Sequence, residues 1–153
     1  MRNRMPQERL RLLRTVPMFA GLSDRELEMI DRLVDEIEVP AGEVLTRQGA
    51  SEAQQSFVAI DGEASVQVEG RVVGTLRPGE LFGEMAMIDG RPRSATVVAT
   101  TPMRLLIIGP AAFPTFIAQP SIAPTVLKTM VERLRDVEER TLAATVEAEE
   151  GAA

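Results

Sequence analysis

The sequence predicts a mainly-β domain flanked by helices, and three observations carry that expectation. Between residues 35 and 108 apolar residues recur at a spacing of two in short runs, as in Ala64, Val66 and Val68 against Ser65 and Gln67. Gly- and Pro-containing turns such as Pro40-Ala41-Gly42, Asp61-Gly62 and Arg77-Pro78-Gly79 separate those runs. Before residue 34 and beyond Pro110 the spacing changes to that of a helix. Roughly eight short strands with turn signals every 8–12 residues describe an antiparallel sandwich, roll or barrel.

Taken in order, residues 6–15 read as a short Arg-rich helix, the main part of a basic N-terminal arm over residues 1–15. Ser23-Asp24-Arg25-Glu26 then has the form of a capping box. Leu27, Ile30, Leu33 and Val34 give the helix behind it one apolar face. Ile37 and Val39 begin the strands. Val44–Thr46, Phe57–Ile60, Ala64–Val68, Val72–Leu76, Ala95–Ala99 and Arg104–Ile108 continue them. From Leu105 to Leu127 the chain runs 23 residues without a charge, long enough on paper to span a membrane. Pro110, Pro114, Pro120 and Pro124 interrupt it, so a strand, a short helix and the start of a second helix are expected instead. The last helix, capped by Ser121 and running over 121–146, carries Leu127, Met130, Leu134 and Val137 as an apolar seam suited to a homodimer. Residues 147–153 read as a flexible acidic tail.

Composition removes many functions. The 153-residue chain has neither Cys nor His, which closes thiol chemistry, His-based metal sites, cupin-type metal barrels and the common nucleophilic triads. No catalytic and no metal-binding residues are assigned, and no enzyme activity or catalytic cofactor is expected. The net charge of −6 is not the basic footprint of a nucleic-acid binder. Residues 1–16 do carry +4, against −4 over residues 132–153. Arg9, Arg11 and Arg14 break up any secretory signal, so a cytoplasmic protein without a membrane segment is expected.

The informative stretch runs from Leu81 to Val97. A hairpin link needs only 2–5 residues, so this longer excursion requires a reason. Gly83 permits close approach of backbone. Glu84-Met85-Ala86 suits a helical turn whose amides face an anion, and Arg93 offers a planar fork for phosphate. A carboxylate beside such a site suits a ligand hydroxyl, as in ribose recognition; the alternative is that Glu84 and Arg93 are an ordinary ion pair.

Phe82-Gly83-Glu84 followed by Pro92-Arg93-Ser94-Ala95-Thr96-Val97 resembles the phosphate-binding cassette of cyclic nucleotide-binding domains. Val16-Pro17-Met18-Phe19-Ala20-Gly21-Leu22-Ser23 and Pro40-Ala41-Gly42-Glu43-Val44-Leu45 resemble other segments of that family, over about residues 10–140. The resemblance implies an eight-stranded antiparallel β-roll, jelly-roll-like, over residues 16–120, with N-terminal helices and a long C-terminal lid helix. By position, Arg93 holds the cyclic phosphate, Glu84 the ribose 2′-hydroxyl, and Gly83, Met85 and Ser94 complete the cyclic nucleotide site. Val73, Arg133 and Val137 fall at base or lid contacts. Val137-Glu138 stand where bacterial activators place hydroxyl residues, and Ser94 in place of Thr favours cAMP over cGMP. The expected function is a stand-alone cAMP sensor that signals through the last helix to an unknown effector, with no helix-turn-helix and no direct DNA binding. The alternative is a degenerate roll serving only dimerisation or protein interaction.

Overall fold

The computed structural model describes residues 6–51 and 55–152. Its elements run α1 (Pro6–Arg14), a 3-10 turn (Pro17–Phe19), α2 (Asp24–Leu33), β1 (Val34–Val39), β2 (Val44–Thr46), β3 (Ser56–Asp61), β4 (Ala64–Val68) and β5 (Arg71–Leu76). There follow β6 (Leu81–Phe82), α3 (Glu84–Asp89), β7 (Thr96–Ala99), β8 (Met103–Ile108), α4 (Phe113–Ile117) and α5 (Ala123–Gly151). Residues 1–5 of the expected basic arm lie outside the described residues.

The strands form two four-stranded antiparallel sheets, ordered β1-β8-β3-β6 and β2-β7-β4-β5, which face each other as an eight-stranded roll. Side-chain parity divides the core. Phe57, Ala59 and Leu105 point between the sheets, where they meet Ala64, Phe82 and Val97. Their neighbours Val58, Ile60, Leu106 and Ile108 point the other way, under Phe19, Leu27, Phe113 and Phe116 of the helical layer. Strand β3 is therefore covered on both faces, because consecutive side chains alternate across a pleated strand.

The helices start and stop where local chemistry asks. Ser23 caps α2 as expected: its hydroxyl accepts from the Glu26 amide at 3.2 Å, and the Ser23 amide donates to Glu26 Oε1 at 3.2 Å. Pro114 and Pro124 sit in the first turns of α4 and α5, where a missing amide costs no helical bond.

Three details differ from the sequence expectation. Ser121 does not cap the last helix; it lies in the preceding turn, and the helix begins at Ala123 without a side-chain cap. That helix continues past Val146 to Gly151, since Ala and Glu after Thr145 favour helix over a frayed tail. Leu81–Phe82 forms a two-residue strand inside what reads as a loop, pairing Phe82 with Phe57. The seam on α5 is largely uncovered, with Leu127 63% and Leu134 59% exposed. No helix among the described residues is long and apolar enough to cross a membrane.

Candidate functional site

Strand β6 ends at Gly83, whose φ of +80° turns the chain into α3. A side chain there is excluded by space as well as by backbone: a Cβ would lie 2.7 Å from Arg93 Nη1 and 2.9 Å from the Gln55 carbonyl oxygen. At the far end Gly90, also left-handed, closes α3 by donating its amide to the Ala86 carbonyl at 3.0 Å. The chain then returns to Arg93 just before β7.

Arg93 is fixed through both backbone and side chain. Its amide donates to the Ala50 carbonyl at 2.9 Å, and its own carbonyl accepts from the Gly49 amide at 2.8 Å. Nη1 donates to the Gly83 carbonyl at 3.0 Å and Nη2 to the Gln55 carbonyl. The residue is 6% exposed. Desolvation lowers its pKa from the ordinary guanidinium value, and the Glu84 charge opposes that shift.

Glu84 opens α3 and is only 1% exposed. Burial pushes its carboxyl above the usual range, against the pull of Arg133, its own amide and Arg93. Oε1 accepts from Arg133 Nη1, whereas the buried Oε2 has no hydrogen-bond partner. Arg133 Nη2 donates to the Leu81 carbonyl, so a single α5 side chain is bonded to both β6 and α3. The two cassette residues are thus not a simple ion pair with each other: Arg93 bonds to main-chain carbonyls and Glu84 to α5.

Glu84 and Arg93 line one cavity of about 440 Å³. Gly83, Met85, Ser94, Val73, Arg133 and Val137 line it too, so every residue singled out from the sequence falls on the same cavity. Its walls combine an apolar side from β4, β5 and β7, including Val66, Val68 and Val97, with three guanidinium groups and three carboxylates. The guanidiniums belong to Arg93, Arg133 and Arg140, the carboxylates to Glu80, Glu84 and Asp136. An acidic chain therefore presents a charge-balanced pocket. Sequence reasoning missed Thr46, Val66, Val68, Asp136 and Arg140. Parity along β4 marks Val66 and Val68 as one face, and helical spacing from Arg133 and Val137 marks Asp136 and Arg140. A second, more open groove of about 400 Å³, lined by Glu38, Asp61 and Arg104 among others, contains none of the residues singled out.

The sequence pattern of the cyclic nucleotide-binding domain matches residues 36–119, more than half of the chain. The chain belongs to the cyclic nucleotide-binding domain family. Among its relatives, a cyclic nucleotide-gated potassium channel of Mesorhizobium japonicum is 40% identical over 123 residues, covering 80% of this chain and 34% of the channel. This domain thus spans about a third of the length of the channels it matches. Of solved structures, the Thermus thermophilus catabolite activator protein superposes with a TM-score of 0.70 at 27% identity, over 82% of this chain and 61% of the activator. Cyclic AMP-bound PfPKA-R gives a TM-score of 0.78 at 20% identity, over 89% of this chain and 47% of that one, a likeness of fold.

Proposed function

We propose that this cyclic nucleotide-binding domain is a sensor for cAMP, with cGMP the weaker ligand, and that it binds its ligand without turning it over. One observation carries the reading: Glu84 and Arg93, both almost fully buried, stand at the two ends of the α3 segment on one cavity. Arg93 neutralises the cyclic phosphate, with the amides around Met85 and the Ser94 hydroxyl adding hydrogen bonds. Gly83 leaves the room this requires. The orphan Oε2 of Glu84 takes the ribose 2′-hydroxyl, which supplies the donor that a buried carboxylate oxygen lacks. Val73 and Val137 flank the base, and likeness to cAMP-bound PfPKA-R and to a cAMP-dependent protein kinase regulatory subunit of Aspergillus fumigatus supports adenine.

Signalling runs through α5. A ligand acts only through unequal affinity for two arrangements of the protein, and here it meets Arg133, which ties α5 to Glu84. A ribose donor on Oε2 draws charge from the carboxylate that Arg133 holds through Oε1, which weakens that tie and resets the helix. The exposed seam at Leu127 and Leu134 then presents a homodimer contact within residues 121–146 or a surface for an effector protein, and the net acidic charge argues against direct contact with DNA.

Calorimetric titration with cAMP and cGMP tests this on the wild type, Arg93→Leu and Glu84→Ala. Breaking a buried charge pair costs about 3–5 kcal/mol, so Arg93→Leu is expected to lose about 10²–10³-fold in affinity or more. Glu84→Ala, losing a hydrogen bond to a charged acceptor, is expected to lose less, about tenfold. Unchanged affinity in Arg93→Leu refutes the assigned mode. No binding of either nucleotide by the wild type supports a roll that serves interaction alone.

A further inference from the structure

Strands β4 and β5 are joined by only two residues, Glu69 and Gly70, because Val68 is paired with Arg71. Both have positive φ, 51° and 75°, the backbone of a type I′ hairpin turn. Asn, Asp or Gly is favoured at such a position, and Glu69 is the only non-glycine with positive φ among the described residues. Its side chain and amide have a common partner. The Glu69 amide donates to Gln48 Oε1 at 2.8 Å, and Gln48 Nε2 donates back to Glu69 Oε1 at 2.7 Å.

Gln48 belongs to the segment that holds Arg93. Its own amide donates to Thr96 Oγ1 at 2.9 Å, and the next two residues, Gly49 and Ala50, make the two backbone bonds to Arg93. The hairpin supplies Val68, Val73 and Gly74 to the cavity, yet neither Gln48 nor Glu69 lines it. A reciprocal side-chain pair at a disfavoured turn position therefore joins two walls of the pocket from outside.

We propose that Gln48 and Glu69 are positioning residues: their paired hydrogen bonds clamp the β4–β5 hairpin to the 47–50 segment and so hold the Arg93 backbone in place for the ligand. The effect on affinity rests on the assignment of Arg93 to the cyclic phosphate; the effect on the Arg93 backbone does not.

Three variants separate a clamp from a surface ornament. Glu69→Asn suits the turn but is too short to receive Gln48 Nε2, Gln48→Ala removes both bonds, and Glu69→Gln keeps an acceptor oxygen. Each is measured for apo melting temperature, amide exchange at Gly49 and Arg93, and cAMP affinity, with Arg93→Leu alongside. Glu69→Asn is expected to melt within about 3 °C of the wild type. Its exchange at both amides should rise, and its affinity fall, by about five-fold. Gln48→Ala should lose more, and Glu69→Gln should behave as the wild type. Wild-type exchange and affinity in Glu69→Asn overturn the clamp, as does an affinity loss matched by a comparable fall in melting temperature. Wild-type binding by Arg93→Leu refutes the phosphate assignment, and exchange at Gly49 and Arg93 then decides the clamp by itself.

Discussion

Replacing Arg133 with Met removes the tie between α5 and the cassette while keeping most of the apolar stem. It strands Glu84 Oε1 in a site where that residue is 1% exposed, and it deprives the Leu81 carbonyl of its donor. Breaking a fully buried pair costs about 3–5 kcal/mol. The Arg133 side chain is 36% exposed, so water already screens part of the attraction, and about 2 kcal/mol is the reasonable expectation. The pH dependence has a defined sign. Burial raises the folded-state pKa of Glu84 above its ordinary value of 4.5. The folded state therefore holds more protons than the unfolded one in the window just above 4.5, and stability falls as pH rises through that window. Removing Arg133, which pulls the pKa down, extends the window upward. Urea unfolding should therefore show a larger penalty for Arg133→Met near about pH 7.5 than near about pH 5, because lowering the pH favours the protonated carboxyl, which escapes the cost of an unpaired buried charge. Adding Glu84→Gln should recover most of the loss. An equal penalty at both pH values, or no recovery in the double variant, refutes a buried carboxylate held by α5.

Gly83→Ala should both destabilise and weaken cAMP binding. The φ of +80° costs an L-residue about 1–2 kcal/mol, and the new Cβ lies 2.7 Å from Arg93 Nη1; calorimetry showing wild-type affinity would remove Gly83 from the account. Hydrogen exchange over residues 123–151 should change on adding cAMP, and identical protection would make the domain a passive binder. If the seam pairs two copies once cAMP is bound, changing Leu127 and Leu134 to Ser should halve the solution mass measured by sedimentation with cAMP present. An unchanged mass assigns that seam to something other than a second copy.

The parts of the molecule legible from sequence are those fixed by near neighbours. The Ser23–Glu26 capping box spans three residues and forms as read. The alternation of Ala64, Val66 and Val68 with Ser65 and Gln67 marks β4, which forms as a strand over Ala64–Val68. Gly83, Glu84 and Arg93 stand out because they lie in a link between strands longer than a hairpin needs. What escaped depends on distant partners. Two residues, Leu81 and Phe82, are too few to show a period, and only pairing with Phe57 and Val58 makes them a strand. Asp136 and Arg140 look like solvated helix residues until the helix is laid against the roll. Gln48 and Glu69 are 21 positions apart, and nothing in either residue announces the other. The end of α5 differs from the sequence expectation for a local reason: the acidic run suits a solvated tail, while Ala and Glu sustain a helix to Gly151.

Arg93 grips the Gly83 carbonyl at the end of β6 and the Gln55 carbonyl just ahead of β3, and those two strands are paired. The guanidinium thus fastens the sheet as well as facing the pocket. Under the proposed function, a variant that loses this side chain is a looser protein as well as a weaker binder, and its heat of titration must be corrected for the unfolded fraction. Selection for a sturdy scaffold alone would then keep the arginine in descendants that no longer sense anything.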